Sequence, residues 1–479
     1  MAAIDISCAG SPAPIVEEQM SSVVIQEFDI LRESIAGELH VPGDLSWDAA
    51  RTPWNLAADQ HPAAVVVAYS AEDVAEAVRF ASERGYAVAA QGTGHAAGTL
   101  ADRLEGTILV RMHRMRDVEI DPAMRAARAE AGALWMDVTS AAAEHGLAAL
   151  AGSSPDVGVV GYTLGGGLSW LSRTYGIAAN SVRAIEVVTA DGDLVRADSR
   201  REPDLFWALR GGGGNFGIVT AIEFTLYPVT EVYAGVMFWP IERAAEVLHA
   251  WRELVPSVPE SMTTVGRLLM LPPIPDIPEP LRGRKFVVVE AIHLGDEDEG
   301  AELLAPLRAL EPEMDTVRTI PASELSALHM DPEHPVPGAG DGMLLDDVTD
   351  EAIDALADLA TSGAVDALLS VELRQLGGAI ARPMLGQGAV GHFEAGFAMF
   401  AIGIAPVPEA RRGVEGALDS ITAVLEPSRA TSGYINFAER PTEIERLYST
   451  DVHRRLREMK RRFDPAGLFM SNHPIDAVG

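Results

Sequence analysis

Residues 64–98 read AVVVAYSAEDVAEAVRFASERGYAVAAQGTGHAAG, and this stretch decides the fold of the N-terminal half. Residues 64–69 form a continuous apolar run, as expected of a strand that is covered on both faces. Ser70, followed by acidic residues, is typical of a helix N-cap, and Gly85 is typical of the matching C-cap. Residues 86–91 form a second apolar run. The stretch therefore predicts a compact βαβ unit that leads directly into a glycine-rich loop.

That loop, residues 92–98, reads GTGHAAG and matches the G-x-G-x-x-A fingerprint of dinucleotide-binding βαβ units. The fingerprint requires a helix that begins inside the loop and directs its N-terminus at a pyrophosphate. Here only a short polar link separates the loop from Gly106 and a further strand, so NAD-type binding is not expected. No Lys-Ser or Lys-Thr pair follows, which excludes a P-loop. A nest of backbone amides that holds pyrophosphate without a helix stays open.

Two further glycine clusters, at residues 152–167 and 211–214, lie in the same half of the chain. Glycine weakens strands and helices and is tolerated where the backbone must approach another group closely. His95 stands among the glycines of the loop, where it either caps a turn or contacts a cofactor. His329 and His334 lie in the proline-punctuated HMDPEH segment, which predicts a surface loop rather than a metal site. We therefore expect no metal centre.

From Glu231 onward the pattern changes to longer strands and helices, which predicts an α+β unit with an antiparallel sheet covered by helices. Strands are predicted at residues 232–239, 285–294, 367–376 and 393–404, and helices at 241–254, 297–310, 349–359 and 408–425. Residues 434–437 look like a strand, and a basic helix is predicted at 451–463. The predicted division is an arm (1–46), a first domain (47–230), a second domain (231–430) and a C-terminal segment (431–479) that returns to the first domain.

Composition excludes several classes of function. The chain has 479 residues and a net charge of −33, and this acidity argues against nucleic-acid and anionic membrane partners, which require Lys and Arg. The single cysteine, Cys8, excludes an intrachain disulfide and cysteine metal clusters. The N-terminus lacks the basic and apolar regions of a signal peptide, and the longest uncharged run, 157–172, is broken by glycines. We therefore expect a soluble, cytoplasmic protein.

Several motifs occur together and in a fixed order, and their combination is specific although each one alone is weak. They are Trp54-Asn55, the loop 91–98, the segments 152–167 and 206–220, Leu376-Gly377-Gly378, Tyr434-Ile435-Asn436, and Phe463-Asp464-Pro465 with Phe469 and Asn472. On these motifs the chain resembles the berberine-bridge-enzyme-like oxidases over residues 47–475. These flavoproteins have a p-cresol-methylhydroxylase (PCMH) type FAD-binding domain of two subdomains, joined to an α+β substrate domain.

The resemblance implies an FAD whose pyrophosphate rests on the amides of the loop 92–98. The cofactor-binding residues implied are Gln91, Gly92, Thr93, Gly94, His95, Ala96, Gly98, Ser154, Val157, Gly158, Gly161, Tyr162, Gly165, Gly166, Asn215, Gly217, Ile218, Val219, Asn436 and Asn472. The family attaches the flavin covalently through the histidine at the position of His95. Many members add a cysteine bond at the position of Ser154, which serine cannot form, so we expect attachment through His95 only. Gln91 replaces a usual arginine.

The resemblance also implies catalytic residues. Some relatives use a glutamate as base after the Gly-Gly pair, and Arg382 stands there instead. Others use the tyrosine of the Tyr-x-Asn motif, so Tyr434 is the first candidate base, with a core tyrosine as the alternative reading. A phenol with a pKa near 10 needs nearby positive charge to act at neutral pH, and Arg374 and Arg382 are the candidates. Asn436 is expected to hold the flavin or to orient the substrate.

The expected reaction is the oxidation of a C–OH or C–N centre of a small metabolite, with hydride transfer to flavin N5. Relatives with a small valine at the position of Val157 admit dioxygen, so we expect an oxidase that releases hydrogen peroxide. The alternatives are an FAD-dependent dehydrogenase, a redox-neutral flavoprotein of the same fold, and an acidic interaction protein without activity. The substrate, among alcohols, sugars, amines and other secondary metabolites, and the oligomeric state stay open.

Overall fold

The structure of the protein, a computed structural model, describes residues 27–332 and 334–477. The predicted N-terminal arm up to residue 26, with Cys8, lies outside the described residues. In chain order the strands are β1 (Glu38–His40), β2 (Ala64–Val67), β3 (Ala87–Gln91), β4 (Thr107–Arg111), β5 (Val118–Asp121), β6 (Ala126–Glu130), β7 (Val182–Val188), β8 (Leu194–Asp198), β9 (Ile218–Thr225), β10 (Glu231–Pro240), β11 (Met262–Met270), β12 (Lys285–His293), β13 (Met314–Asp315), β14 (Arg318–Pro321), β15 (Gly338–Leu345), β16 (Ser370–Gln375), β17 (Phe397–Ile404) and β18 (Phe469–Met470).

The α-helices range from four to eighteen residues, and the longest is Pro408–Leu425. They span residues 27–34, Trp47–Arg51, Ala71–Arg84, Trp135–Ala143, Val159–Leu164, Ser172–Tyr175, Ala178–Ser181, Pro203–Leu209, Ala244–Leu254, Glu297–Leu303, Ala305–Arg308, Asp350–Ser362, Pro408–Leu425 and Thr450–Phe463. No helix in the described ranges is long and apolar enough to cross a membrane.

The predicted βαβ unit is confirmed and forms the centre of the first sheet. Its order is β1-β2-β4-β3-β18, with β2, β4, β3 and β18 parallel. Ser70 caps the helix Ala71–Arg84 by accepting a hydrogen bond from the Asp73 amide, and Gly85 ends it with a φ of 77°. The short strand β18 comes from the C-terminal segment and pairs with β3 directly beside the start of the glycine loop.

A second sheet, β5-β6-β9-β7-β8, is antiparallel throughout and shares a hydrophobic core with the first. The third sheet is the largest, with the order β13-β10-β12-β11-β16-β17-β15 and β14 paired to β10. The helices Ala244–Leu254, Asp350–Ser362 and Pro408–Leu425 cover one of its faces. The opposite face, here called the inner face, packs against residues of the N-terminal half such as Trp170 and Leu171. The predicted α+β class with a helix-covered antiparallel sheet is confirmed.

Four strands of this sheet, β11, β13, β14 and β15, were not predicted. In β11 and β15, glycines and a charge hide the apolar pattern. Strand β11 contains Gly266 and Arg267, and a Cβ atom on Gly266 would lie 2.8 Å from the Trp251 ring. Strand β15 reads GAGDGMLL, and a Cβ on Gly342 would lie 2.8 Å from the Cβ of Phe437. Glycine is required at both positions, because neighbouring side chains occupy the space that a Cβ atom would need.

Two other predictions were wrong in detail. Residues 434–437 form a turn rather than a strand. The predicted helix 297–310 is interrupted at Leu304, because Pro306 has no N–H to continue the hydrogen-bond ladder. The boundaries of the four predicted segments of the chain remain predictions.

Candidate active site

The glycine loop 92–98 turns sharply away from the end of β3. Gly94 has a φ of +91° and a Cβ there would lie 2.6 Å from the Cβ of Pro53, so no other residue fits without strain. Gly92 and Gly98 differ, since a Cβ on Gly92 would have its nearest neighbour at 3.5 Å and one on Gly98 would meet nothing within 4 Å. One glycine thus shapes the loop, and two leave its backbone accessible to a ligand.

His95 is held from three sides. Its ring stacks on Trp54 with centroids 3.9 Å apart, and its Nδ1 lies 2.7 Å from the Thr93 hydroxyl. Its Nε2 is buried without a hydrogen bond and faces Asp156 Oδ1 at 3.5 Å. Trp54 Nε1 donates to the other oxygen of Asp156 at 2.6 Å. Burial raises the pKa of Asp156, but His95 and Trp54 lower it further, so that the carboxylate stays charged beside the imidazole.

The second glycine cluster lies next to His95. Residues 151–157, including Ser154 and Val157, are half-buried, and Gly158 begins the helix Val159–Leu164. Gly161 is exposed within this helix, and a Cβ there would meet nothing within 4 Å. The Ser154 hydroxyl donates a hydrogen bond to Asp331, which lies on the loop before β15. The cluster therefore offers open backbone on one side and a contact with the third sheet on the other.

Several of the residues predicted to bind the cofactor have side chains that pack or form hydrogen bonds within the protein. Asn215 is 1% exposed, and its amide group donates to the carbonyls of Gly212 and His473 while its oxygen accepts from Ser471 and Ile475. Its side chain is therefore fully used in joining the third glycine cluster to the C-terminal segment.

The neighbours of Asn215 are also packed. A Cβ on Gly217 would lie 2.5 Å from Val187, and the buried residues Ile218 and Val219 belong to β9. Gln91 is 8% exposed and donates to Gln60 at 3.1 Å, while its own oxygen lacks a hydrogen bond. Asn472 donates to the carbonyl of Ala96 at 3.0 Å and so ties the C-terminal segment to the glycine loop.

Tyr434 and Asn436 come together above the second glycine cluster. The Tyr434 hydroxyl accepts hydrogen bonds from the Leu168 amide at 3.0 Å and from Asn436 Nδ2 at 2.9 Å. The Asn436 amide also donates to the carbonyl of Tyr162. A Cβ on Gly165 would collide with Asn436, so the glycine is what allows this approach. Gly166 has a φ of +117°, and a Cβ there would lie 3.5 Å from the Tyr434 ring.

The two arginines proposed as sources of positive charge lie in different environments. Arg382 is exposed and forms an ion pair with Glu260 at the surface. Arg374 is mostly buried, with its guanidinium carbon 5.4 Å from the Phe437 ring, and it lowers the pKa of Tyr434. Burial has the larger effect and raises the pKa of Tyr434 to about 12. Of the two, Arg374 is the arginine with an electrostatic influence on the candidate base.

The expectation of a surface loop at His329 was wrong. His329 is 3% exposed and joins a row of ion pairs on the inner face of the third sheet, which we call the buried charge row. The row runs from Arg267 to Glu290 (3.0 Å), His329 (2.8 Å), Glu372 (3.0 Å) and Arg374 (3.0 Å). His334 is exposed, as predicted. No group of side chains suited to a metal ion occurs in the described parts of the chain.

The sequence signal for the buried charge row was weak. Arg267, Glu290, Glu372 and Arg374 are charged residues within apolar strands, and strand pairing places Arg267 opposite Glu372. Charges in the middle of an apolar strand are a signal that can be read from sequence. The position of His329 between Glu290 and Glu372 cannot be read from the sequence, because that residue reaches the sheet from a distant loop.

The residues present fit an FAD. The three glycine-rich segments offer half-buried backbone, and at Gly98 and Gly161 the space that a side chain would occupy is free. Buried polar atoms without hydrogen bonds include His95 Nε2 in the glycine loop and Gln91 Oε1 at the end of β3, which leads into that loop. Such atoms are rare in a folded protein unless a ligand or water pairs with them.

Comparison with known proteins agrees with this reading. The FAD binding domain family matches residues 62–198. The chain is 30% identical over 475 residues to (R)-6-hydroxynicotine oxidase of Paenarthrobacter nicotinovorans, covering 93% of this chain and 98% of that protein. A solved structure of 6-hydroxy-D-nicotine oxidase from Arthrobacter nicotinovorans superposes with a TM-score of 0.80 at 26% identity, covering 93% and 98% of the two chains. The BBE-like 1 protein of Physcomitrella patens has a TM-score of 0.82 at 18% identity, covering 95% and 99%.

Fold, glycine-rich surface and comparisons together define an FAD-binding oxidoreductase. Because the similarity extends over nearly the whole chain and the whole relative, the family is also clear. The chain belongs to the berberine-bridge-enzyme-like FAD-linked oxidases with a PCMH-type flavin domain.

Proposed function

We propose that the chain is an oxidase that removes two electrons from a C–OH or C–N centre of a small metabolite and releases hydrogen peroxide. The observation that carries the proposal is the Tyr434–Asn436 pair, which lies against the Gly165–Gly166 backbone beside the surface that fits FAD. FAD, when bound, supplies a two-electron acceptor whose N5 takes a hydride and whose electrons then pass to O2.

Tyr434 is the group that receives the substrate proton in this proposal. Its oxygen already accepts two N–H hydrogen bonds, from Leu168 and Asn436, and both stabilise negative charge on it. Arg374 adds positive charge to the same region. Asn436 spans Tyr434 and the Tyr162 carbonyl, so its role is to fix the position of the phenol oxygen.

We further propose that FAD is attached through His95 alone. The imidazole is oriented by Trp54, Thr93 and Asp156, and one of its nitrogens lacks a hydrogen bond. A bond between an imidazole nitrogen and the 8α-methyl carbon forms with loss of two protons and two electrons, and O2 accepts the electrons. Ser154, held by Asp331, has no thiol to form a second bond.

Attachment is tested by precipitating the protein with acid. The wild-type pellet should be yellow and fluorescent, and the His95→Ala pellet should be colourless with flavin in the supernatant. Replacement of the exposed His145 by Ala is the control and should leave the pellet yellow. Free flavin from the wild type would contradict the proposal.

The reaction is tested by screening purified yellow protein for peroxide release with alcohols, sugars, amines and other secondary metabolites. Peroxide together with bleaching of the flavin supports an oxidase. Bleaching without peroxide indicates a dehydrogenase, for which Val157→Ile should then change little. Bound FAD without bleaching by any substrate class indicates a redox-neutral flavoprotein, and a colourless protein indicates an interaction protein.

A further inference from the structure

The buried charge row places five charged groups where an apolar sheet face would pack without them. Glu290, His329 and Glu372 are each at most 3% exposed, and Arg267 is 3% exposed. Removing such charges from water is costly, and ion pairing often only recovers the cost. The buried charge row therefore adds little to the free energy of folding. A role for the residue at its end explains the row better. That end is Arg374, the member nearest to Tyr434.

Around Arg374 the structure leaves hydrogen-bond donors without acceptors. Arg374 Nε, Trp170 Nε1 and the Tyr162 hydroxyl are buried and have no partner among the described residues. The Arg374 guanidinium lies 5.6 Å from the Trp170 ring, and Arg374 and Tyr434 both influence the pKa of Tyr162. Trp170 and Tyr162 also pack in one hydrophobic cluster. Buried donors normally have partners, and an acceptor on a bound ligand would supply one here.

The charge of the surroundings restricts what this acceptor is. Asp331 lies 3.9 Å from His329, so with the buried charge row there are three carboxylates and three cationic groups. Burial and Arg267 lower the pKa of His329, but the carboxylates raise it further, to about 9, and the imidazole is charged at neutral pH. The sum is zero. A charged ligand group would therefore stay uncompensated in a buried site.

We infer that the substrate carries an uncharged acceptor oxygen, a carbonyl, and that Arg374 and Trp170 bind this oxygen by donating N–H hydrogen bonds. The inference rests on the proposed function, because it places the substrate between Trp170 and Tyr434. It also predicts that a cationic amine is a poor ligand, since its charge would meet the Arg374 guanidinium. Arg374 and Trp170 are binding residues in this inference, and neither accepts the substrate proton.

The test uses the FAD-loaded protein and three aromatic probes of similar size, namely acetophenone, benzoate and benzylamine. Dissociation constants are measured from the change in the visible flavin spectrum, without turnover. Acetophenone should bind at least about tenfold more tightly than either charged probe, because its carbonyl accepts the N–H hydrogen bonds without bringing an uncompensated charge into the buried site.

Two variants separate binding from folding. Trp170→Phe keeps the packed aromatic ring and loses only the N–H. It should therefore weaken the binding of acetophenone by about fivefold and leave the affinity for benzylamine unchanged. Arg374→Met should weaken acetophenone by at least about tenfold, although it also leaves Glu372 without its partner. Arg411→Met, at an exposed helix position, is the control and should bind all probes like the wild type.

Tighter binding of benzylamine or benzoate, or no spectral change with acetophenone, would overturn the inference. Unchanged acetophenone affinity in Trp170→Phe together with Arg374→Met would also overturn it. These results are distinct from a failure of the proposed function, because the proposed function fails if no substrate bleaches the flavin, whatever the probe affinities are.

Discussion

At the scale of single residues, Tyr434 and His329 show how far chemistry can be read from type and motif. Tyr434 was selected through the resemblance, and the structure adds its two N–H donors and its burial. For His329 the proline-punctuated loop predicts a surface position, and this prediction is wrong. It is buried because it forms ion pairs with Glu290 on β12 and with Glu372 on β16, and a buried charge needs such partners.

The first prediction concerns Tyr434 itself. Tyr434→Phe removes the phenol oxygen and keeps the ring contacts with Phe393 and Phe437. We expect FAD binding to be retained and flavin reduction by substrate to fall by about 100-fold or more, as for loss of a general base. Stopped-flow absorbance measures the reduction rate. Phe393→Leu is the packing control, and its rate of flavin reduction should fall by less than about tenfold. An undiminished reduction rate in Tyr434→Phe would exclude Tyr434 as the base.

The second prediction follows from the pKa of Tyr434, which burial raises to about 12. A base with this pKa is mostly protonated at neutral pH, so kcat/KM should rise by about tenfold per pH unit from about pH 7 to about pH 10. In Arg374→Gln, loss of positive charge raises the pKa further, and the rise should begin at higher pH. A bell-shaped profile with its maximum near neutral pH would contradict the prediction.

At the scale of secondary-structure elements, prediction succeeded where the apolar period was regular. The helix Pro408–Leu425 was predicted residue for residue, and the strands β10 and β12 nearly so. Strands β11 and β15 were not predicted, because their glycines are required by side chains of other elements that pack against them. Such glycines are decided by tertiary contacts, which local periodicity does not contain.

The third prediction tests one of these contacts. Gly342→Ala in β15 places a methyl group 2.6 Å from the Met399 carbonyl and 2.8 Å from Phe437. Overpacking of this kind should lower the free energy of unfolding by about 1–3 kcal/mol and should slow flavin reduction, since Phe437 packs on Tyr434. Denaturant unfolding and reduction kinetics measure the two effects.

The matched control for Gly342→Ala is Gly416→Ala. Gly416 is exposed in the helix Pro408–Leu425, and a Cβ there would meet nothing within 4 Å. Because alanine favours helix, this variant should be more stable by about 0.5–1 kcal/mol. Equal stability changes in the two variants would show that β15 has no special need for glycine.

At the scale of the whole molecule, the C-terminal segment joins the parts of the site. It supplies Tyr434 and Asn436, ties Asn472 to the glycine loop and adds β18 beside β3. The loop before β15 makes a second connection, with His329 in the buried charge row and Asp331 on Ser154. The contacts of Asn472 with Ala96 and of Asp331 with Ser154 join residues more than one hundred positions apart, so folding of the whole chain is needed to form the site.

The fourth prediction concerns stability and pH. The pKa of His329 is raised from its ordinary 6.5 to about 9 in the folded state. Its contribution to stability is therefore complete below about pH 6.5 and is lost as the pH rises through about 9, on the order of 3 kcal/mol. His329→Gln should be less stable at neutral pH and should lack this decline in denaturant unfolding. His334→Gln changes an exposed position of the same loop, and the stability of this variant should decline with rising pH as in the wild type.

The sequence by itself determined the βαβ unit, the helix-covered sheet, the glycine loop with His95 and, through its motifs, the flavoprotein family. These features depend on local periodicity, capping and motif order, all of which are contained in short stretches of chain. Tertiary structure alone decided that the Asn215 side chain bonds to the C-terminal segment, that Arg374 rather than Arg382 influences Tyr434, and that His329 is buried between carboxylates. The reason is that burial, pairing and electrostatic influence depend on neighbours brought together from distant parts of the chain.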